Sequence, residues 1–380
     1  MAPSLRWDIF CRVVDNFGDA GVCWRLARQL AHEHGLAVTL WIDDVATLAR
    51  IAFSISASID DQLADRVRVR RISEAATRCA PLADVVIEGF GCGLPDPYVA
   101  TMLAASRPPV WIVLEYLSAE PWIEASHMLP SPHPRLPLKR WFWFPGFTER
   151  TGGLIRESNL LRLRDEKTKT EHTAALDPIV ASPADQLEIS LFCYSNPALP
   201  ALLSAWADGP ARVNCIVPAG VAQSEIERWT GGVAPDAGSA LTRGQLTIQI
   251  EPLVDQQAFD RRLWRSDLNF VRGEDSFVRA QWAARPLVWH VYPQTEDAHL
   301  VKMDAYLLRQ ETDLPETART AQREFWYAWN SGAAGATAAA WPVFREALPA
   351  LRVNALAWAR ALSEQEDMTT RLVTFCENRL

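Results

Sequence analysis

Short runs of Val, Ile, Leu and aromatic residues recur along this chain, separated by stretches with helical spacing, and this rhythm limits the possible folds more than any other feature. The first runs are DIFCRVV (8–14), AVTLWID (37–43), RVRVRRI (66–72), ADVVIEGF (83–90) and VWIVLEY (110–116), with helical patterns clearest at 20–33 and 96–106. Continuous apolar runs mark strands buried on both faces, and intervening helices supply the crossovers that parallel strands need. A proline-rich passage (129–147) interrupts the rhythm, and the polar segment 164–186 reads as a linker. The pattern resumes with LEISLFCYSN (187–196), RVNCIVPAG (212–220), LTIQIEPL (246–253), DLNFVRG (267–273) and PLVWHVYP (286–293). From about residue 299 the chain is Ala/Leu-rich and reads as helices. At 380 residues it exceeds the roughly 250–300 at which a single core stops growing. Two α/β domains are expected, with ligands outside the carboxyl ends of their sheets.

A net charge of −8 argues against a nucleic-acid partner, since phosphate contacts depend on clustered Lys and Arg. The start MAPSLRWDIF lacks the charged and apolar regions of a signal peptide, and no apolar run approaches the ~20 residues of a membrane span. The expectation is a cytoplasmic protein with no membrane association. Seven cysteines are scattered without a CxxC pair and seven histidines without an HExxH, which predicts reduced thiols and no bound metal.

Two strand-to-helix turns carry the candidate chemistry. The first, DNFGDAG, contains Asp15, Asn16, Phe17, Gly18 and Asp19 and leads into a helix with Val22, Leu26 and Leu30 on one face. It lacks both GxGxxG and the Lys of a phosphate loop, and its acids would repel a diphosphate. Two readings remain open: Asp19 caps the helix and Asp15 is a turn residue, or both carboxylates face a ligand, one as general base and one orienting a cation or hydroxyl. The second turn, VRGEDSF, joins Arg272 to a helix start at Glu274, Asp275 and Ser276. It reads either as an ordinary cap or as a diphosphate site built from helix N–H groups and Arg272. Phe192 and Tyr194, two apart at a strand end, and Gln256 near Phe259 could frame a base in the same half, although core packing is the commoner fate of such aromatic residues. Glu115, at the end of VWIVLEY, is a further candidate for the first half.

The stretches WDIFCRVVDNFGDAGVCWRLARQLA, VWIVLEYLSAEPWIE with HMLPSPHP, SLFCYSN, and LWRSDLNFVRGEDSFVRAQWAARPLVWHVYPQ together resemble the EarP family, bacterial protein-arginine rhamnosyltransferases. The resemblance implies an α/β, GT-B glycosyltransferase architecture: two Rossmann-like domains facing a central cleft. It places an acceptor domain at 1–165, a donor domain at 185–355 and a C-terminal helix at 356–380 that packs back on the first domain. It further implies inverting, metal-independent and cofactor-free transfer from dTDP-β-L-rhamnose to an arginine of translation elongation factor P. Asp19 would then be the base and Asp15 its partner, with Asn16, Phe17, Gly18 and Glu115 on the acceptor side. Phe192 and Gln256 would meet the thymine, Glu274 (counted among the catalytic groups) the ribose, and Tyr194, Arg272, Asp275 and Ser276 the diphosphate. Leu253 stands where the family often has Phe. The same pattern would also serve a GT-B transferase or epimerase with a small-molecule acceptor, or a nucleotide-sugar or translation-factor binding protein without turnover.

Overall fold

The computed structural model describes residues 5–15, 17–133, 136–174, 186–232 and 234–380. It divides into two units, one of residues 1–158 with 363–380 and one of residues 159–362.

The first unit runs β1 (Arg6–Cys11), α1 (Phe17–Glu33), β2 (Ala37–Ile42), α2 (Val45–Ala49), β3 (Asp61–Ala64), β4 (Val67–Arg71), α3 (Glu74–Arg78), β5 (Val85–Gly89), α4 (Asp96–Ala104), β6 (Val110–Leu114), α5 (Trp122–Ser126), β7 (Pro130–Pro132) and β8 (Lys139–Trp143). Among the described residues these strands form one sheet in the order β3-β4-β2-β1-β5-β6-β8-β7. The six inner strands are parallel, and β3 and β7 pair antiparallel at the edges. The apolar runs occupy the inner strands, as expected of strands covered on both faces. The short edge strands, and the inner strand β8 within the proline-rich passage, were not anticipated. Pro130 and Pro132 stand on β7, where a missing N–H is tolerated because no further strand follows.

The second unit runs α6 (Leu160–Ala174), β9 (Gln186–Leu191), α7 (Leu199–Ala207), β10 (Arg212–Pro218), α8 (Gln223–Thr230), β11 (Ala240–Arg243), β12 (Leu246–Glu251), α9 (Gln256–Arg265), β13 (Leu268–Arg272), α10 (Asp275–Ala283), β14 (Leu287–His290), α11 (Ala298–Gln310), α12 (Glu316–Asn330) and α13 (Ala334–Ser363). Its sheet is ordered β11-β12-β10-β9-β13-β14, parallel except for β11.

α14 (Met368–Glu377) completes the first unit. Asp367 caps it through the N–H groups of Thr369 and Thr370. Phe375 packs its edge against Trp141 and Trp143 at centroid distances of 5.4 and 5.5 Å. Gln29 of α1 donates to Asp367 and accepts from the Thr369 hydroxyl, at 3.0 and 2.7 Å.

Three boundaries differ from those expected. The first division falls after Ser158 rather than at 165, and the second after Leu362 rather than 355. The stretch read as a linker from 164 begins as helix α6; Arg164 donates to the Trp282 carbonyl at 2.9 Å, and Arg162 pairs with Glu166 one turn on. Its polarity is that of a solvated helix face, which composition alone does not separate from a linker; residues 175–185 lie outside the described part. Segment 356–380 is also not one helix but the end of α13 followed by α14. Among the described residues, no helix is long and apolar enough to cross a membrane.

Candidate active site

In each sheet the strand order reverses at one place, between β1 and β5 in the first unit and between β9 and β13 in the second. Chain segments leaving adjacent strands there run to opposite sides, which opens a crevice at the carboxyl ends. Both sequence-predicted turns lie at these points.

In the first unit, β1 ends at Cys11 and α1 starts at Phe17. Asp19 is therefore inside the first helical turn. Its Oδ2 accepts from the backbone N–H groups of Val14 and Asp15, each at 2.8 Å. The capping reading is thus corrected: the acid reaches back to the strand-exit loop instead of closing the helix's own free amides. Asp19 is 2% exposed. Burial pushes its carboxyl above the ordinary aspartate range; the Asp15 and Val14 amides and the Tyr116 hydroxyl pull it down, and Asp43 pushes it up again.

Asp15 folds over the start of α1. Gly18 N–H donates to its carbonyl at 2.7 Å, and a Cβ on Gly18 would lie 2.5 Å from its Oδ2. Only glycine leaves room for that carboxylate. Phe17 is buried beneath the Arg50 guanidinium, 4.9 Å from the ring centroid. Asn16 lies outside the described residues. Glu115, just past β6, donates its N–H to the Trp143 carbonyl at 2.9 Å and is partly exposed. The next residue, Tyr116, is among the groups that lower the Asp19 pKa, and its ring stacks on Phe90. Sequence reading missed this pair; VLEYL drew notice for its acid, and nothing in its pattern tells which neighbour turns toward β1.

In the second unit, Phe192 and Tyr194 lie beyond the end of β9 and Arg272 ends β13. The Arg272 guanidinium sits over both rings, 4.6 Å from the Phe192 centroid and 4.7 Å from that of Tyr194. It also donates to the Cys193 carbonyl at 3.3 Å. Two aromatic faces and one carbonyl fix the direction of the cation. Tyr194 meets the edges of His290 and Tyr292, at 5.3 and 5.4 Å; sequence reading missed both. Burial, with Arg272 and His299 adding to it, brings the His290 pKa down to about 3, so this imidazole is neutral.

The Ser276 hydroxyl accepts from Arg272 N–H at 3.0 Å and donates to the Arg272 carbonyl at 2.5 Å, tying the turn together. Gly273 takes a φ of 56° between them. Glu274 is at the N-cap of α10 without a side-chain capping bond. Asp275 accepts from Gln256 at 3.0 Å, which joins the starts of α9 and α10. A buried two-bonded pair, Arg279 to Asp260 at 3.0 and 2.7 Å, holds the same helices one turn further along. The structure therefore brings Phe192, Tyr194, Arg272 and Ser276 together beyond β9 and β13, and Gln256 with Asp275 at the starts of α9 and α10, with Phe192 packed edge-on against Phe259.

Residues 7–377 match the family model described as "Elongation-Factor P (EF-P) rhamnosyltransferase EarP". The chain belongs to the EarP family of protein-arginine glycosyltransferases. It is 45% identical over 377 residues to a protein-arginine rhamnosyltransferase of Pseudomonas putida, covering 98% of this chain and 99% of that protein. The Pseudomonas aeruginosa protein of the same name is 44% identical over 374 residues, covering 97% and 98%. Among solved structures, one described as the structural basis for EarP-mediated arginine glycosylation of translation elongation factor EF-P is 34% identical, with a TM-score of 0.67 and 99% of both chains covered. A MurG structure from Acinetobacter baumannii, 12% identical with a TM-score of 0.51 over 99% and 100% of the two chains, shares the fold. The EarP match establishes the glycosyltransferase class and the GT-B architecture.

Proposed function

We propose that this enzyme moves L-rhamnose, with inversion, from dTDP-β-L-rhamnose to an arginine of translation elongation factor P in the cytoplasm. The observation that carries this reading is what has become of the amides in the β1–α1 turn. The N–H groups of Val14 and Asp15, which in a phosphate loop would face an anion, are both taken by Asp19. A turn whose donors are occupied and whose side chains are two acids favours a cation. The guanidinium is a planar cation whose N–H pairs match a carboxylate's oxygens. The EF-P named for the 34% identical structure supports the choice of acceptor.

In this reading the first unit holds the acceptor and the second the donor. Asp15 orients the arginine, and Asn16, Phe17, Gly18 and Glu115 are assigned to the acceptor side. Asp19 takes one guanidinium proton as that nitrogen bonds to the anomeric carbon. The bond from that carbon to the diphosphate oxygen breaks on the opposite face, so the configuration inverts, and dTDP leaves with the electron pair. Burial of Asp19 makes it a stronger base than an exposed aspartate, which helps because a guanidinium holds its proton to a pKa above ~12. Arg272 and the N–H groups opening α10 offset the charge on the departing dTDP, so no metal is required. Phe192 and Gln256 frame the thymine, Glu274 binds the ribose, and Tyr194, Asp275 and Ser276 support the diphosphate side.

The test is to incubate the protein with dTDP-β-L-rhamnose and elongation factor P and weigh the factor intact. A gain of one deoxyhexose, located on an arginine by fragmentation, is expected, with the opposite anomeric configuration to the donor by NMR. An unchanged mass would remove the acceptor assignment.

A further inference from the structure

The loop leaving β9 is held by elements that follow both of its neighbours in the sheet, β13 and β10. From the end of β13, Arg272 donates to the Cys193 carbonyl at 3.3 Å and lies over the rings of Phe192 and Tyr194. From α8, which follows β10, comes Glu225, a first-turn acid that is 2% exposed. Its Oε1 accepts from the Ser195 hydroxyl at 2.5 Å and from the Asn196 N–H at 3.2 Å, and its Oε2 accepts from the Ser224 hydroxyl at 2.9 Å. The Asn196 side chain continues the chain of bonds, donating to the Trp329 carbonyl and accepting from the Ala198 N–H, each at 2.9 Å. Beside it, a Cβ on Gly332 would lie 2.8 Å from Pro197 Cγ, so the turn after α12 closes directly on the loop. The four residues after Phe192 are thus fixed by partners from three other parts of the same unit.

We propose that Glu225 is a positioning residue for the donor site: by fixing Ser195 and Asn196 it sets where Tyr194 stands against Arg272. This rests on the reading of the second unit as the donor domain. Tyr194 is the residue next to Ser195, so a shift of that anchor displaces its ring and with it the guanidinium placed over the ring. A carboxylate suits the task because it only accepts: one oxygen takes a hydroxyl and an amide together and needs no donor in return. Burial alone would raise its pKa. The Ser195 and Ser224 hydroxyls and the amides of Glu225 and Asn196 outweigh that and hold the group below the ordinary glutamate range, so it is ionised at neutral pH. An acid in this half of the molecule would ordinarily oppose an anionic ligand. Here its charge is matched by donors of residues 195, 196 and 224.

Glu225→Gln and Glu225→Ala separate the hydrogen bonds from the charge. Glutamine keeps an oxygen for Ser195 and Asn196 and turns its amide to the Ser224 hydroxyl, which can accept; alanine leaves the buried Asn196 N–H without its partner. Tyr194 is followed by 19F NMR of 3-fluorotyrosine-labelled protein, whose six tyrosines give few lines, the Tyr194 line being the one lost in Tyr194→Phe. With no ligand present, Glu225→Ala should shift or broaden that line and Glu225→Gln should leave it in place. Calorimetry with dTDP should give an affinity about tenfold weaker or more in Glu225→Ala, the scale of a small misplacement, and within about threefold of the parent in Glu225→Gln. The same factor should appear in KM for dTDP-β-L-rhamnose, with kcat largely retained; a protein that was merely less stable would lose active enzyme and keep its KM. Ser195→Ala removes one bond at a solvent-exposed residue, so it reports even if Glu225→Ala does not fold. It should move the same line by less, and add nothing to Glu225→Ala in the double variant. A Tyr194 line that stays in place in Glu225→Ala and Ser195→Ala, or an equal loss of dTDP affinity in Glu225→Gln and Glu225→Ala, would overturn the proposal. The fluorine readout needs no substrate: if the parent protein did not bind dTDP, the donor reading would fall while the hold of Glu225 on Tyr194 was still measured.

Discussion

The β1–α1 and β13–α10 turns occupy equivalent places in their sheets and are built with opposite chemistry. Each leaves a parallel strand at the point where strand order reverses and enters a helix within a few residues. In the first, a helical side chain reaches back and occupies the backbone donors. In the second, the serine hydroxyl bonds both backbone groups of Arg272, and the strand contributes a cation held over two rings. The difference teaches that charge preference at such a turn is set by which group satisfies the amides. An acid that satisfies them leaves negative charge behind, whereas a hydroxyl is neutral and leaves the helix N-terminus its positive character.

Substitutions can break this comparison at either turn. Asp19→Asn has the largest expected effect, a loss of roughly 10²–10⁴-fold in kcat, the range of general base catalysis. Donor affinity, measured by calorimetry with dTDP, should hold; its loss would show that the two turns do not have separate duties. Arg272→Met should lower kcat/KM by about 10²-fold or more, as loss of a group facing developing charge does, and should weaken dTDP binding where Asp19→Asn does not. Gly18→Ala sharpens the first turn alone. The added methyl meets the Asp15 carboxylate at 2.5 Å, so transfer should fall by about tenfold or more, the scale of a small misplacement. The unfolding midpoint should hold or rise, because alanine is the better helix former. A paired fall in stability and activity would contradict the steric account.

The smallest expected effect is in stability. The folded-state pKa of Asp19 is raised, so between its unfolded and folded values the native state binds more protons, and stability falls as pH rises through that window. Above it, Asp19→Asn should be at least as stable as the parent in thermal unfolding, and the difference should shrink as pH falls. A markedly less stable variant at neutral pH would mean that the ionised carboxylate serves folding and not chemistry.

Much of this was readable from residue order. Buried parallel strands are continuous apolar runs, so the inner strands of both sheets were located to within a few residues, except β8, which lies inside the proline-rich passage. The turns DNFGDAG and VRGEDSF stood out because their charges interrupt those runs. Elements whose residues lack that bias were hidden: the proline-bearing edge strand β7 and the polar helix α6, which looks like a linker until its contact with α10 is known. The direction of the Asp19 bonds was also out of reach. Whether an acid at a helix start caps forward or reaches back depends on the path of the loop between strand and helix. Tyr116 and Phe90 are 26 residues apart in sequence, and their stacking follows only from the pairing of β5 with β6.

The return of α14 to the first unit has a consequence for synthesis. Its Phe375, Thr369 and Asp367 meet Trp141, Trp143 and Gln29, residues made more than two hundred positions earlier. As the chain emerges from the ribosome, the N-terminal unit lacks its last helix throughout translation of the intervening 204 residues of the second unit. The second unit is continuous and able to fold on its own schedule, so the nascent chain completes its later-made half first. Trp141 and Trp143 lack the packing of Phe375 until then.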